Sequence, residues 1–400
     1  MRAALARRGA DAPLDRVLEL DARRRELLPE LEGLRQRQNE ASKEIGEAKR
    51  RGEDAAAEIS AMEEVAARGR ELSDQVNRVE AELQAAMVEL PNLPDQRAPA
   101  QDTVLREVGE AGRAGRDHLE IAGPLIDMEA AGRVSGARFA YLRGELVLLE
   151  FALVRWALER LRDRGFEPVV TPVLVREAAM FGTGFLPDTE QQVYRLADDD
   201  LYLVGTSEVP LASLHAKETI NYDKLPLRYA GFSTCFRREA GAAGKDTRGI
   251  FRVHQFDKVE MFSFVVPEAS EDEHERLLGI QEELLGELGL PYRVVDIAAS
   301  DLGASATRKF DCEAWLPGQE RYRELTSCSN TTDFQARRLE IRYRPQGGKP
   351  APLHTLNGTA VAVGRTIIAL LENGQREEGT VALPGVLAPY GAPETIGPAP

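Results

Sequence analysis

The sequence contains few cysteines and no long apolar segment. Three cysteines occur in 400 residues, Cys235, Cys312 and Cys328, and none belongs to a C-x-x-C motif or lies near a histidine. This excludes a disulfide framework and gives no support to a Cys/His zinc site, so we expect buried, reduced thiols in a cytoplasmic protein. No segment approaches membrane-spanning length, and residues 1–9 lack the apolar core of a signal peptide. We therefore expect no membrane partner.

Two common nucleotide-binding motifs are missing as well. Residues 241–247 (GAAGKDT) resemble a P-loop, but the required glycine and serine or threonine are replaced by Glu239 and Asp246. The segment also joins two predicted strands, whereas a P-loop joins a strand to a helix. No G-x-G-x-x-G motif is present, so neither motif explains how a nucleotide would bind.

The composition favours a large folded core with a smaller second unit. Hydrophobic residues make up 43% of the chain and charged residues 29%, with a formal charge of -15. This charge excludes a surface that is basic everywhere. A local basic patch remains compatible with it, because phosphate contacts need only a few lysines and arginines in one place.

The N-terminal region, to about residue 90, predicts an antiparallel coiled-coil hairpin. Apolar or small residues recur at steps of three and four in two segments, and the segments are joined by a short break at residues 50–54. The first segment and its tip are basic. Such charges are usual on the solvated face of a coiled coil. An isolated arm buries little surface, however, which favours the interpretation that it contacts a partner. The predicted contact positions are Leu27, Leu31, Leu34, Gln38, Ala41, Ile45 and Ala48, and Met62, Val65, Gly69, Leu72, Val76, Val79, Leu83, Ala86 and Leu90.

Three prolines between residues 91 and 99 predict the end of the arm and the start of a second domain. The predicted domains are the arm at residues 1–95, an α+β domain at 96–386 and a mobile tail at 387–400. In the second domain we expect mostly antiparallel strands with helices on one side, including a helix over residues 139–165. A strand over residues 166–175 contains Pro172, which favours a sheet edge or a subunit interface.

Residues 228–264 predict a hairpin with one charged face. Alternation places Cys235, Arg237 and Glu239 on one side of the first strand, with Phe256, Lys258, Glu260 and Phe262 on one side of the second. An exposed sheet face would explain polar residues there. A second interpretation is a cradle that holds phosphate, stacks a purine and receives an ammonium group.

Other polar residues occur where chemistry is expected. Thr206, Ser207 and Glu208 follow a predicted strand, and Glu324, Ser327 and Ser329 lie in and just after another. Arg365 follows Gly364, and we expect this pair to interrupt a mostly apolar helix. An arginine in such a helix is costly unless its guanidinium meets an anion.

In combination these motifs resemble bacterial-type seryl-tRNA synthetases over essentially the whole chain. The motifs are FRREAGAAGKDTRGIFRVHQFDKVEMF (236–262), TSEVPL (206–211), YRELTSCSN (322–330), NGTAVAVGRT (357–366) and the coiled-coil hairpin. The resemblance implies a seven- or eight-stranded class II antiparallel sheet flanked by helices, and a homodimer formed partly through the region of Pro172. It implies ATP and Mg²⁺, with L-serine and tRNA(Ser) as substrates, and leaves tRNA(Sec) open.

The same resemblance implies roles for individual residues. Arg237 matches the arginine that bridges the serine carboxylate and the α-phosphate of ATP, and Arg365 the one at the γ-phosphate. Glu324 and Ser327 match the Mg²⁺ positions. Further ATP positions are Arg238, Glu239, Val253, Phe256, Leu325 and Thr326, and serine positions are Thr206, Ser207, Glu208, Glu260 and Thr359. The tRNA positions are Arg35, Arg37, Lys43 and Arg50 on the arm, and Lys245 and Arg248 in the loop of the hairpin.

Two other functions fit parts of this pattern. A synthetase-like ligase that loads a carrier protein would retain Arg237 and Arg365 but has less need of the arm. A non-catalytic paralogue would be expected to lose some of Arg237, Glu239, Glu324 and Arg365, and all four are present. Family members usually carry further residues before a segment like residues 1–9, and the tail beyond Pro389 is longer than the motifs require.

Overall fold

The computed structural model describes residues 1–9, 13–52, 54–187, 192–240, 246 and 248–397. The chain separates into two compact units, Met1–Pro91 and Asn92–Pro400. This boundary lies within the proline-containing segment from which a linker is predicted. None of the helices in the described ranges combines the length and the apolar composition of a membrane span.

The first unit is a helical hairpin preceded by a short helix. Its helices are α1 (Arg2–Arg7), α2 (Leu14–Arg51) and α3 (Ala56–Val88). Gly52 ends α2 with φ 74° and ψ 19°, the left-handed conformation in which glycine commonly ends a helix. Glu30 of α2 bonds Arg68 of α3 at 3.2 Å, and Arg16 bonds Glu82 at 2.5 Å, so the helices are antiparallel, as predicted.

The predicted contact stripe of the hairpin supplies most of its buried residues. A leucine or valine on one helix meets its counterparts on the other because positions three and four apart share one face of a helix. Two clusters form along the seam, Leu27, Leu31, Leu72 and Val76 in one and Leu20, Leu83 and Ala86 in the other.

The second unit combines one large sheet with smaller sheets and helices. Its helices are α4 (His118–Ala122), α5 (Met128–Ser135), α6 (Glu145–Asp163), α7 (Glu177–Thr183), α8 (Glu208–Ser213), α9 (Ser270–Glu287), α10 (Phe334–Arg338) and α11 (Val363–Asn373). Its strands are β1 (Thr103–Val108), β2 (Ile126–Asp127), β3 (Tyr141–Leu142), β4 (Glu167–Val170), β5 (Leu174–Arg176), β6 (Tyr194–Leu196), β7 (Leu201–Leu203), β8 (Thr219–Asn221), β9 (Leu227–Phe236), β10 (Gln255–Val265), β11 (Tyr292–Asp296), β12 (Arg308–Leu316), β13 (Arg321–Thr332), β14 (Arg342–Arg344), β15 (Ala351–Pro352), β16 (His354–Ala362), β17 (Val381–Ala382) and β18 (Thr395–Ile396).

The large sheet has eight strands in the order β1-β11-β12-β13-β16-β10-β9-β4. Its pairs are antiparallel except β4 with β9, which is parallel. The α+β prediction is therefore confirmed. β4 lies at the sheet edge, as expected from Pro172, but the predicted strand over residues 166–175 is divided into β4 and β5. Pro172 lies between them, because proline cannot donate a ladder hydrogen bond.

The two faces of the sheet are covered differently. Val259 and Met261 of β10 point into the main core with residues of α6, α9 and α11. Phe262 and Phe264 point to the other face, where they pack with Leu211 of α8 and residues of α10. The prediction of helices on one side only is therefore wrong. The short helices α8 and α10 cover part of the second face and leave a cavity beside them.

Three further predictions, one of a helix boundary, one of an interrupted helix and one of a mobile tail, differ from the structure. The helix predicted from residue 139 begins at Glu145, because Gly144 has φ 55° and ψ -129°, outside helical geometry. α11 is continuous, with Arg365 in its first turn. The tail is not loose up to residue 397: Leu387 and Ile396 are buried, and β18 pairs with β17. Leu387 and Ile396 belong to the main core cluster, although the residues around them in the tail are mostly alanine, proline and glycine.

Candidate active site

A cavity opens on the second face of the large sheet, over the ends of its central strands. β10, β13 and β16 form its floor, the segments after β9 and before β10 form one wall, and the first turn of α11 closes it. The sequence-predicted residues that line it are Thr206, Glu208, Arg237, Glu239, Val253, Phe256, Glu260, Glu324, Leu325, Ser327, Thr359 and Arg365. Phe185, Ile250, Phe251, Arg252, Lys258, Asn357, Ala362 and Gly364 line it as well.

Strand register explains why distant residues meet in this cavity. Glu260 on β10 is paired with Thr359 on β16, and β16 in turn pairs with β13. The segment before α8 approaches β9 at Gly231, where an added Cβ would lie 2.7 Å from a Leu211 methyl carbon and 3.0 Å from the Ser207 hydroxyl. Glycine at this position therefore allows the segment with Thr206 and Glu208 to reach the cavity.

Arg237 lies directly after β9. Its backbone N–H donates to the His254 carbonyl at 3.0 Å, which extends the hairpin pairing by one residue. Its guanidinium donates to the Gly205 carbonyl at 3.3 Å and lies 5.2 Å from the centroid of the Phe256 ring. Glu239 has φ 51°, so strand alternation ends before it, and Arg252 bonds its carboxylate at 2.5 Å. The turn, rather than alternation, points Glu239 into the cavity.

Arg365 lies at the other end of the cavity, where it contacts two separate segments of the chain. Its guanidinium donates to the Glu324 carbonyl at 2.9 Å and to the Phe251 carbonyl at 3.4 Å, and lies 3.5 Å from the Glu324 carboxylate. Two guanidinium groups contact the Phe251 ring, with the central carbon of Arg365 at 4.5 Å and that of Arg323 at 3.8 Å from its centroid. Burial lowers the pKa of Arg365 from its ordinary value. Arg365 thus contacts two carbonyls, a ring and one carboxylate, and its guanidinium can also attract a further anion.

Glu324 is the ionised acid of this end. Burial opposes its ionisation, but the charges of Arg365, Lys309 and Arg237 outweigh burial and lower its pKa to about 2. On the neighbouring strand β12, Asp311 is paired with Ser327 in the sheet and accepts from the Lys309 ammonium at 3.0 Å. Burial and the proximity of Glu324 raise the pKa of Asp311 to about 7. The anionic character at neutral pH is therefore concentrated on Glu324.

The donor set at this end fits Mg²⁺. Glu324 offers an ionised carboxylate and Ser327 a hydroxyl, and both line the cavity. Mg²⁺ prefers such hard oxygen ligands and is commonly held by one or two protein groups together with substrate phosphates. Among the described residues no group of three or more His, Cys, Asp and Glu side chains forms a metal cage. The arrangement thus suits an ion shared with a phosphate ligand.

The opposite end of the cavity contains two buried acids. Glu208 accepts from the Gln335 amide at 2.8 Å. Burial and the neighbouring Glu260 raise the pKa of Glu208 to about 7, while Gln335, Lys258 and Arg237 limit the rise. Glu260 accepts from the Lys258 ammonium at 2.6 Å and from the Thr359 hydroxyl at 3.2 Å. An acidic pocket of this kind favours a ligand with an ammonium group and a hydrogen-bond donor.

Several predicted site residues lie elsewhere. The Ser207 hydroxyl donates to the Gly231 carbonyl at 3.2 Å, so it fixes a turn instead of facing the cavity. The side chains of Arg238 and Thr326 are also outside the cavity lining. Arg248 pairs with Asp117 at 3.1 Å, and Lys245 lies outside the described residues. In the other unit, the predicted arm residues Arg35, Arg37, Lys43 and Arg50 are exposed.

Four residues of the site were missing from the sequence-based prediction, three of them charged or polar and one aromatic. The predicted charged face of the hairpin includes Lys258 but assigns it no role, although its spacing from Glu260 indicates a shared side. Asn357, which lines the cavity, stands two residues before Thr359 in the same strand. Gln335 and Phe251 reach the site through packing between distant segments, for which the sequence gives no local pattern.

Comparison with known proteins agrees with this geometry. The model of the tRNA synthetase class II core domain (G, H, P, S and T) matches residues 192–374, and that of the seryl-tRNA synthetase N-terminal domain matches residues 1–94. The serine–tRNA ligase of Rubrobacter xylanophilus is 49% identical, covering 98% of this chain and 95% of the relative. That of Streptomyces coelicolor is also 49% identical, covering 100% and 96%.

Solved structures give the same result. The crystal structure of seryl-tRNA synthetase from Pyrococcus horikoshii complexed with ATP superposes with a TM-score of 0.93 at 40% identity, covering 100% of this chain and 97% of that chain. The predicted fold class is thereby confirmed in its finer form, a class II sheet preceded by a helical hairpin. The chain belongs to the seryl-tRNA synthetase family of class II aminoacyl-tRNA synthetases.

Proposed function

We propose that the chain activates L-serine with ATP and transfers the seryl group to the 3′ end of tRNA(Ser). The observation that favours this reaction most is a cavity that has two buried acids, Glu208 and Glu260, at one end and the Arg365 guanidinium at the other. Arg237 lies between the two, within 5.2 Å of the Phe256 ring. A zwitterionic amino acid and a polyanionic nucleotide would each find complementary charge there.

In the activation step a carboxylate oxygen of serine attacks the α-phosphorus of ATP. The new bond joins that oxygen to phosphorus, and the bond to the departing pyrophosphate breaks. The carboxylate is already ionised, so no general base is required. The protein must bring two anions together and stabilise charge on the phosphate oxygens, which is the work of orientation and fixed cations. We assign this role to Arg237 at the α-phosphate and to Arg365 at the γ-phosphate.

The adenine would be held at the centre of the cavity. Phe256 offers a ring face for stacking, and Glu239 and Val253 line the same wall. The Glu239 carboxylate, held by Arg252 at 2.5 Å, is an acceptor for the adenine amino group. Glu324 and Ser327 would hold Mg²⁺, which when bound neutralises phosphate charge and orients the leaving pyrophosphate.

The serine substrate would occupy the acidic end. Glu208 would accept from its ammonium group, while Glu260 and Thr359 contact its hydroxyl. Burial of these partners favours serine over alanine and glycine, because the smaller amino acids would leave buried polar groups without hydrogen bonds. Thr206 supports this end through its hydroxyl, which accepts from the Glu208 N–H at 3.2 Å.

We assign tRNA binding to residues 1–95 and activation to residues 96–386. Arg35, Arg37, Lys43 and Arg50 would contact phosphates of the long variable arm of tRNA(Ser), and tRNA(Sec) is a further candidate because recognition of this kind follows shape and backbone. Arg248 and Lys245 would approach the acceptor end. The pairing of Arg248 with Asp117 means that this contact requires an exchange of partners.

We also propose a homodimer in the cytoplasm. Val170 on the edge strand β4 is 79% exposed, and Phe151 on α6 is 66% exposed. Large apolar groups exposed beside a free sheet edge favour a subunit contact. Phe151→Glu should shift the mass measured by light scattering toward the monomer, whereas Leu18→Glu on the arm should not. The free, buried cysteines fit a reducing compartment.

The activation step is tested by exchange of labelled pyrophosphate into ATP. We expect exchange with serine and much weaker exchange with alanine, glycine and threonine. Exchange supported best by another amino acid would refute the assignment of the acidic pocket, and no exchange with any amino acid would refute the proposed activity.

A further inference from the structure

Lys258 is a buried cation in the cavity to which the proposed reaction assigns no role. Its side chain is 7% exposed and lines the cavity. The ammonium group lies 2.6 Å from the Glu260 Oε2 atom and donates to the Thr206 Oγ1 atom at 2.7 Å. A buried ammonium group is costly unless it is paired, so both contacts are needed to keep it in place.

The contacts of Glu260 are divided unequally between its two oxygens. Oε2 is the oxygen near Lys258 and also accepts from Thr359 at 3.2 Å. Among the described residues, Oε1 has a contact with the Asn357 amide at 3.4 Å, longer than an ordinary N–H···O hydrogen bond. An ionised carboxylate has acceptor capacity on both oxygens. Oε1 is therefore the oxygen that retains capacity for a ligand in the cavity.

The strand pairing brings these groups together, although the β10–β16 register shifts between Val259 and Glu260. Lys258 and Glu260 are two residues apart on β10, so their side chains lie on the same face of the strand. β10 is paired on both sides, with β9 and with β16. Thr206, which anchors the ammonium, also accepts from the Glu208 N–H at 3.2 Å. The Lys258 ammonium is thus held between Glu260 on β10 and Thr206 in the segment before α8.

We propose, resting on the function proposed above, that Lys258 is a specificity-determining positioning residue of the amino-acid pocket. By occupying Oε2 it orients Glu260 so that Oε1 faces the hydroxyl of serine. The preference for serine over alanine depends on this orientation, because a substrate without the hydroxyl gains nothing from it.

Lys258 also affects the charge balance of the pocket. The charged or titratable groups around it are Glu208, Glu260, Arg237 and the Cys235 thiol. Because Lys258 is one of the groups that limit the raised pKa of Glu208, its removal would raise that pKa further above about 7. Glu208 would then be protonated at neutral pH. This effect weakens the binding of every amino acid through its ammonium group, whereas the orientation of Glu260 matters for serine alone.

The test is Lys258→Met in the full chain, with pyrophosphate exchange measured for serine and for alanine. We expect kcat/KM to fall about 100-fold for serine and about 10-fold or less for alanine, so that the serine-to-alanine ratio falls at least about tenfold. KM for ATP should change less than about twofold, since the cationic end is intact. Raising the pH toward about 9 should restore part of the loss shared by both amino acids but not the ratio.

A second variant separates specificity from folding. Lys258→Met combined with Glu260→Gln leaves no unpaired charge at this pair, and should bind ATP normally with the same low ratio. Non-reactive sulfamoyl analogues of seryl- and alanyl-adenylate, titrated by calorimetry, report the ratio even where exchange is slow. An unchanged ratio in Lys258→Met would overturn the proposal, as would loss of ATP binding in both variants, which would make Lys258 a structural residue. Absence of serine-dependent exchange in the parent protein would instead count against the proposed function.

Discussion

The arm and the cavity contain the same charged residue types in opposite environments. On the arm, the side chains of Arg68 and Glu71 are bonded at 2.9 Å yet remain 47% and 58% exposed. In the cavity, the side chains of Lys258 and Glu260 are 7% and 2% exposed. An exposed ion pair contributes about 0–1 kcal/mol to the free energy of unfolding, whereas removal of one partner from a buried pair lowers it by about 3–5 kcal/mol. Single charges on the arm can therefore be replaced at little cost to stability. In the cavity, the loss of one charge leaves its buried partner unpaired.

This difference matches two kinds of recognition. A nucleic-acid backbone is long and repetitive, so many weak contacts can share its binding. A small substrate offers few groups, and each must meet a fixed partner. Single substitutions in the arm should therefore have small effects, and single substitutions in the cavity large ones.

The largest effect is expected for Arg237→Ala. Loss of a fixed cation at the reacting groups should reduce serine-dependent pyrophosphate exchange about 10³-fold. The neighbouring Arg238→Ala is the matched control, because the Arg238 side chain lies outside the cavity lining. Similar exchange rates for the two variants would refute the role of Arg237. Circular dichroism would show whether both remain folded.

Removal of the arm tip should separate the two steps. Deleting residues 37–63 and closing the helices with a short glycine-serine turn leaves the Leu27, Leu31, Leu72 and Val76 cluster intact. Exchange should be unaffected, while kcat/KM for charging tRNA(Ser) should fall about 10²-fold because several phosphate contacts are lost together. Unchanged charging would show that the tip does not bind tRNA.

Lower pH should weaken serine binding more than ATP binding. Glu208 must be ionised to accept from the substrate ammonium, and its raised pKa of about 7 means that it becomes protonated as the pH falls through this value. KM for serine should therefore rise about tenfold per pH unit below about pH 7 and level off above it. Glu208→Gln should abolish this dependence. A flat profile in the parent protein would contradict the role of Glu208.

The smallest effect is expected for single basic residues of the arm. Arg37→Gln or Lys43→Gln should raise KM for tRNA(Ser) only several-fold. Each should also reduce the slope of the logarithm of the tRNA association constant against the logarithm of salt concentration by about one, the value for one phosphate contact. Arg78→Gln, an exposed arginine on α3, is the control on the same arm. A loss as large as that of the tip deletion from one substitution would contradict distributed binding.

The arm could be predicted from local periodicity alone, since the predicted contact residues of α2 and α3 follow one another at steps of three or four. The cavity could not, because its floor joins β10, β13 and β16 from separate parts of the chain. The resemblance supplied residues such as Arg365 and Glu324, but not Lys258 or Gln335, whose partners depend on packing. The helix boundary failed at Gly144 because hydrophobic spacing continues through a residue with a non-helical backbone. The burial of the tail could not be predicted because Leu387 and Ile396 stand isolated among small residues and form no periodic pattern.

The most direct test is to follow exchange and charging in one preparation, with tRNA(Ser) and with the same tRNA lacking its long variable arm. We predict serine-dependent exchange, efficient charging of the complete tRNA and about 10²-fold weaker charging of the shortened one. Equal charging of both would contradict the role of the arm. Exchange without any charging would favour a ligase that loads a carrier protein, and absence of both reactions would favour a non-catalytic paralogue.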